Sequence, residues 1–160
     1  MLTEQMRSAV VERLLQLRDE IAQSIASHGL TASGRTANSM VVVDDNTSVT
    51  LYGRPFFAAL ETGSSLWTGR TGVKCSVEEF REIIHAWATA KGLNLGQAKA
   101  HDRAIGAITW SIIRNGTKQK RSGQRLDVYT TLVDKAVADC GELCKDAMLV
   151  EVNNVIAKWR

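Results

Sequence analysis

Apolar residues recur at three- and four-residue steps along the start of the chain: Met6, Val10, Leu14, Leu17, Ile21 and Ile25. That spacing puts them on one stripe of a helix and predicts an amphipathic helix over residues 3–28. Thr3 is its expected N-cap, with Glu4 beside the positive end of the helix dipole. His28-Gly29 offers the stop. A second long stripe runs from about 130 to 158 through Val133, Val137, Cys140, Cys144, Met148, Val152 and Val155, with Gly141 softening its middle.

The sheet that is legible is one hairpin. Met40-Val41-Val42-Val43 and Val49-Thr50-Leu51-Tyr52 are β-branched runs on either side of Asp44-Asp45-Asn46-Thr47, a turn sequence. A small polar loop, 29–38, precedes it. Gly53-Arg54-Pro55 ends the second strand, and Phe56 to Thr62 reads as a short helix closed by Gly63. Residues 64–75 read as an exposed, glycine-containing loop. Ser76 with Glu79 forms a capping box for a helix whose apolar face is Val77, Phe80, Ile83, Ile84 and Trp87, stopped by Gly92. A further helix is expected at about 96–114, with Ala104, Ile105, Ile108 and Ile112 inward. The fold class expected is α+β: a small antiparallel sheet packed with long N- and C-terminal helices, and a helical pair inserted at about 76–125. One domain over 1–160 is expected, because no internal repeat or interdomain linker is visible.

Composition narrows the function classes. No apolar run approaches the roughly 18 residues that cross a bilayer, and the N-terminal segment lacks a signal peptide's apolar stretch. The expected location is therefore the cytoplasm of the producing cell, with no membrane partner. Cys75, Cys140 and Cys144 are an odd, sparse set, read as reduced thiols instead of a disulfide framework.

Signatures of catalysis are scarce. His28, His85 and His101 stand in no zinc-ligand arrangement. His85, between apolar residues, reads as structural. Cys140 and Cys144 share a helix face but lack a second ligand pair, and read as apolar thiols. Gly63 to Thr71 glances at a phosphate-binding loop, but its glycines are one residue too far apart, Arg70 stands where lysine belongs, and no strand precedes it. Glu61 follows an apolar stretch and has no nameable catalytic partner; a helix-end salt bridge or loop anchor is the simpler reading. Ser64 and Ser65 lack a His/Asp pair. No catalytic residue, cofactor or metal is expected, and the chain reads as a non-enzyme. The competing enzyme reading needs a buried pocket joining Glu61 to His85 or His101.

Two features ask for partners. Segment 114–125 (RNGTKQKRSGQR) has five cations, Arg114, Lys118, Lys120, Arg121 and Arg125, and no acid in twelve residues, although the whole chain carries only +3. Such a run is either a solvated mobile loop or a sequence-blind contact to a nucleic-acid backbone; it holds no aromatic residue, so base stacking is not indicated. Phe56, Phe57 and Trp67, in a turn-rich stretch, either form an interface or fold back on the hairpin.

The order of these segments carries a resemblance. A long N-terminal helix leads to the loop Thr31-Ala32-Ser33-Gly34-Arg35-Thr36-Ala37-Asn38-Ser39. A hairpin ending Leu51-Tyr52-Gly53 then leads to Arg54-Pro55-Phe56-Phe57-Ala58-Ala59-Leu60-Glu61-Thr62-Gly63. Over about residues 3–65 this resembles the neck and tail-completion proteins of tailed bacteriophages, the lambda minor tail protein Z-like family. The likeness is looser over 127–158, and 76–125 departs from that family's compact pattern. The resemblance implies a structural virion protein: a homo-oligomeric ring, a hexamer, in the head-tail joining region, made in the bacterial cytoplasm. It implies contacts with the head connector or adaptor and with tail terminator or tail-tube proteins, and double-stranded DNA passing through the bore. A ring needs two different complementary patches on each subunit. Arg54, Phe56, Phe57, Glu61 and Trp67 are expected at an interface, and Arg114, Lys118, Lys120, Arg121 and Arg125 toward DNA. The alternative is a regulator that binds nucleic acid without sequence preference.

Overall fold

A computed structural model describes residues 3–45, 47–54, 57–64 and 75–158, with side chains as far as Val150. The elements are α1 (Glu4–Ser27), a single 3-10 turn (Ala37–Ser39), β1 (Val41–Asp44), β2 (Val49–Tyr52), α2 (Ala59–Thr62), α3 (Val77–Ala90), α4 (Ala98–Asn115), α5 (Lys118–Ser122) and α6 (Thr130–Lys158). The class is α+β, with one two-stranded antiparallel sheet between long terminal helices. No described helix is long and apolar enough to cross a membrane. The chain forms two compact units, one of Met1–Gly29, Ala37–Gly53 and Val128–Arg160, the other of Leu30–Thr36 and Arg54–Asp127.

The first unit is built on α1. Thr3 caps it, its Oγ1 accepting from the Met6 amide at 3.2 Å. The apolar stripe is buried at Met6, Leu17, Ile21 and Ile25, and half-buried at Val10 and Leu14. The hairpin pairs Val41 with Tyr52, Val42 with Leu51, Val43 with Thr50 and Asp44 with Val49. Paired residues share a face. Val42 and Leu51 are half-buried, whereas Val41, Val43 and Tyr52 of the other face are exposed. Asp44, on the same face as Val42, meets Arg7 of α1 at 3.3 Å. The turn closes on Asp45, whose Oδ1 accepts from the amides of Ser48 (2.6 Å) and Thr47 (3.0 Å) and from the Thr47 hydroxyl (2.8 Å).

Within the α1 stripe stands a charge the apolar spacing does not announce. Arg13 is 7% exposed. Its Nε donates to Asp139 Oδ2 of α6 at 2.8 Å, and its Nη2 reaches Glu20 at 3.5 Å. Burial alone would lower its pKa, but the Asp139 bond and the charges of Glu20 and Asp139 outweigh it, and the guanidinium is held above its ordinary value. This pair corrects the packing face of α6. Ala136 is the buried residue, while Val137 and Met148, expected inward, are exposed at 67% and 57%. Turning Asp139 to Arg13 brings small Ala136 against the bulky α1 stripe, with Val133, Cys140, Cys144 and Ala147 half-buried. The expected positions Val152 and Val155 lie outside the described side chains.

In the second unit Ser76 caps α3, its Oγ accepting from the Glu79 amide at 3.1 Å. Phe80, Ile84, Ala88 and Ile105 form its core, with Cys75, Leu95, Ile108, Ile112 and Ile113 packed around them. Trp87, expected inward, is 40% exposed, and the fully buried neighbour is Ala88. Phe80, Ile84 and Ala88 form a straight four-residue row, and the small last member lets α4 approach. Thr109 is also buried; its hydroxyl donates to the Ile105 carbonyl at 2.8 Å, so that hydroxyl is not stranded.

Two predictions follow from the first unit. Asp139→Ala leaves the buried Arg13 charge with the longer 3.5 Å contact to Glu20, and because Asp139 is itself partly exposed the expected loss in chemical denaturation is about 1–3 kcal/mol; Arg13→Met, which removes the charge, costs less. A larger loss from Arg13→Met would contradict the assignment. The second concerns pH. The bonds from the Ser48 amide and from Thr47 hold the Asp45 carboxyl down to about 2, against an ordinary 3.8. A depressed carboxylate contributes stability above its unfolded value and loses it as pH falls through the folded one. The Asp45 carboxyl carbon should therefore titrate near 2 by NMR, with the turn's Thr47 and Ser48 amide shifts moving in the same step.

Candidate functional site

The stretch Phe57 to Gly63 folds as a tight turn and one turn of helix. The Phe57 amide donates to the Arg54 carbonyl at 3.2 Å, Leu60 to Phe57 at 2.9 Å, and Gly63 to Ala59 at 3.0 Å. Gly63 ends α2 with φ 69°, a conformation that L side chains rarely adopt. A Cβ there would also lie 2.5 Å from the Lys120 amide nitrogen and 2.6 Å from Thr117 Oγ1. Glycine is required twice over, for the backbone and for the neighbour.

That neighbour is the basic segment. The Thr117 amide donates to the Ser64 carbonyl at 2.9 Å, and the Ser64 amide donates to Thr117 Oγ1 at 3.1 Å. Gln119 Nε2 donates to the Leu60 carbonyl at 3.1 Å and also to that of Glu61. The Leu126 amide donates to the Glu61 carbonyl at 2.9 Å. Glu61 itself is 1% exposed, and Arg125 neutralises it, Nη2 to Oε2 at 3.0 Å. The helix-end salt bridge read from the sequence is thus present, and its partner comes from the far end of the cationic run.

Segment 114–125, read from the sequence as a solvated mobile loop or a nucleic-acid backbone contact, is not a loop throughout. Arg114 lies in the last turn of α4, Gly116 ends that helix at φ 74°, Thr117 caps α5, and Gly123 ends α5 in the left-handed region. Helix becomes possible in a run of like charges because one cation, Arg125, has a buried counter-charge, and because Thr117, the Gln119 side chain and Leu126 are bonded to Ser64, Leu60 and Glu61. Arg114, Lys118, Lys120, Arg121 and Arg125 are all exposed. Arg121 Nη1 donates to Ser111 Oγ at 2.8 Å, and the Arg114 guanidinium lies 5.8 Å from the centre of the Trp110 ring. Trp110 is 52% exposed. It was missed because it sits just outside the basic run. The α4 stripe of Ile105, Ile108 and Ile112 already implied that position 110 points away from the core.

Of the expected interface residues, Arg54 and Phe57 are half-buried, Glu61 is buried, and Phe56 and Trp67 lie outside the described residues. His85 and His101 meet edge to face, centroids 5.0 Å apart, beside an Arg81–Asp102 ion pair at 2.6 Å. Cys75, Cys140 and Cys144 are free thiols. Burial pushes the Cys75 and Cys140 thiols up, away from the reactive thiolate. Among the described residues no three His, Cys, Asp or Glu side chains are grouped as metal ligands. A surface cleft of about 360 Å³ in the first unit is lined by Glu20, Asp139, Glu142 and Asp146 with Arg13 and Lys135. The organised site is therefore the α4–α5 surface and the Glu61–Gly63 turn that holds it.

Gly63→Ala should lose about 2 kcal/mol or more in chemical denaturation, from left-handed strain and the close approach together. Arg125→Ala leaves the Glu61 carboxylate short of its cation and should lose about 1–3 kcal/mol. Both should release α5, seen as loss of amide protection at Thr117 and Leu126.

No protein-family model, curated protein or solved structure matches this chain.

Proposed function

We propose that the protein is a structural subunit of a tailed-phage neck, a tail-completion component that assembles with copies of itself into a ring around passing DNA. Two things support this reading. The first is the resemblance over about residues 3–65. The second, which carries it, is the work done by the Leu60-Glu61-Thr62-Gly63 motif. These residues hold a cationic, acid-free segment in a fixed shape on the surface of the second unit. A motif whose buried carboxylate and side-chain-free glycine exist to position a basic surface suits a protein that must touch DNA without reading it. Phosphate attraction supplies such contact and lets the duplex slide. In this reading the partners are further copies, a head connector or adaptor, tail terminator or tail-tube proteins and duplex DNA, and the place of action is the virion neck. No chemical step is involved.

The exposed basic surface also favours a second reading, a regulator that binds nucleic acid without sequence preference as a monomer. Mass separates them. Light scattering over a concentration series should show a closed species near six times 17.5 kDa for a hexameric ring. A strict monomer, with or without a connector, that binds short duplex tightly would favour the regulator. Duplex binding should also weaken with salt. Because Arg125 is shared with Glu61, about four cations meet phosphates, giving a slope of log affinity against log salt of about −3 to −4. A slope near zero would exclude DNA from this surface.

A further inference from the structure

We propose that the α4–α5 surface is a site for single-stranded nucleic acid, with Trp110 as a platform on which an unpaired base stacks. A phosphate-only surface has no use for an exposed indole. Trp110 nevertheless leaves half its area in water, which forfeits the apolar burial the ring would gain inside the unit. Arg114, one turn on, sets its guanidinium 5.8 Å from the ring centre, within cation–π range. Arg121 is brought to the adjacent residue by its 2.8 Å bond to Ser111. Lys118 is exposed at the start of α5, and Arg103, two turns before Trp110, is exposed on the same face of α4. Segment 114–125 contributes no acid to this surface.

An exposed aromatic face beside a guanidinium, on helices that carry further exposed cations, matches single-stranded nucleic acid. Every base offers a π-face of similar size, and the phosphates on either side of it are within reach of long cationic side chains. A closed duplex presents phosphates but keeps its bases stacked on one another, so it satisfies the cations and leaves the indole idle. The site therefore discriminates strandedness, not sequence. Arg121 and Lys118 are placed by α5, and α5 is placed by the Glu61–Gly63 turn, so the platform depends on the same brace as the basic surface. It does not depend on ring assembly. A monomeric mass would leave it intact, and its failure would leave the ring intact.

Fluorescence anisotropy with a labelled oligo(dT) of about 12 nucleotides, and with a duplex of equal length, tests the site on the full chain. The expected result is tighter binding of oligo(dT) than of duplex. Trp110→Ala should weaken oligo(dT) binding at least 10-fold and duplex binding less than 2-fold, as expected for one base-stacking contact. Trp110→Phe should retain most of the affinity, which also shows that a loss in Trp110→Ala is not misfolding. Equal affinity for the two forms, with Trp110→Ala without effect on either, would overturn the proposal and leave phosphate attraction alone. Absence of binding to both would also overturn it and reassign the exposed Trp110–Arg114 pair to an acidic protein partner.

Discussion

A carboxylate with 1% exposure must be neutralised where it stands, and Glu61 is neutralised by Arg125, 64 residues further along the chain. The organisation of the second unit's functional surface depends on that one closure. Five like charges in twelve residues would otherwise repel one another and stay extended. Binding Arg125 to Glu61 takes one of them out of the count, and the same approach brings the Thr117 and Leu126 amides to the carbonyls of Ser64 and Glu61 and the Gln119 side chain to that of Leu60. Gly63 permits it by carrying no side chain. A short helix forms on this footing, and with it the direction of Lys118 and Arg121 becomes fixed.

The first unit uses the same device with the sign reversed. Arg13 is the buried charge and Asp139 the partly exposed partner. In neither unit is the ion pair the main source of stability, since a well-packed apolar side chain often serves as well. What an ion pair supplies is a choice between packings. Helix α6 carries apolar residues on more than one side, and Val137 and Ala136 both offer a face. The Arg13–Asp139 bond selects the face with Ala136. In the second unit the choice is between a helix docked on α2 and a loose strand of cations.

Local chemistry was legible in the sequence. Thr3 and Ser76 were readable as caps because capping is decided within four residues. The hairpin was readable because two β-branched runs flank an Asp-rich turn. The boundaries of α1, α3 and α4 follow from the same short-range signals. Errors came where a distant partner decides the outcome. Helix faces drawn through the largest apolar residues placed Trp87, Val137 and Met148 inward. The residues that let helices approach are small ones, Ala88 and Ala136, and which small residue serves depends on what lies opposite. Helix α5 was invisible for a related reason. Lys118 to Ser122 has no apolar stripe, and its stability comes from Thr117, Gly63 and Glu61. Glu61 as a salt-bridge anchor was foreseen, but its partner was not, because nothing local links position 61 to position 125. The aromatic member of the basic surface was missed because Trp110 belongs to α4 in sequence and to the cationic surface only in three dimensions.

A neck subunit and a strand-binding surface make the same demand on this chain: cations held at fixed places without being neutralised. Both depend on the brace between α2 and α5, and native-state hydrogen exchange at individual amides tests it most directly. The amides of Thr117 and Leu126 should be protected in the wild-type protein and exchange at close to free rates in Glu61→Ala, while the amides of Ile84 and Ala88 in α3 keep their protection. Free exchange at Thr117 and Leu126 in the wild-type protein would contradict it.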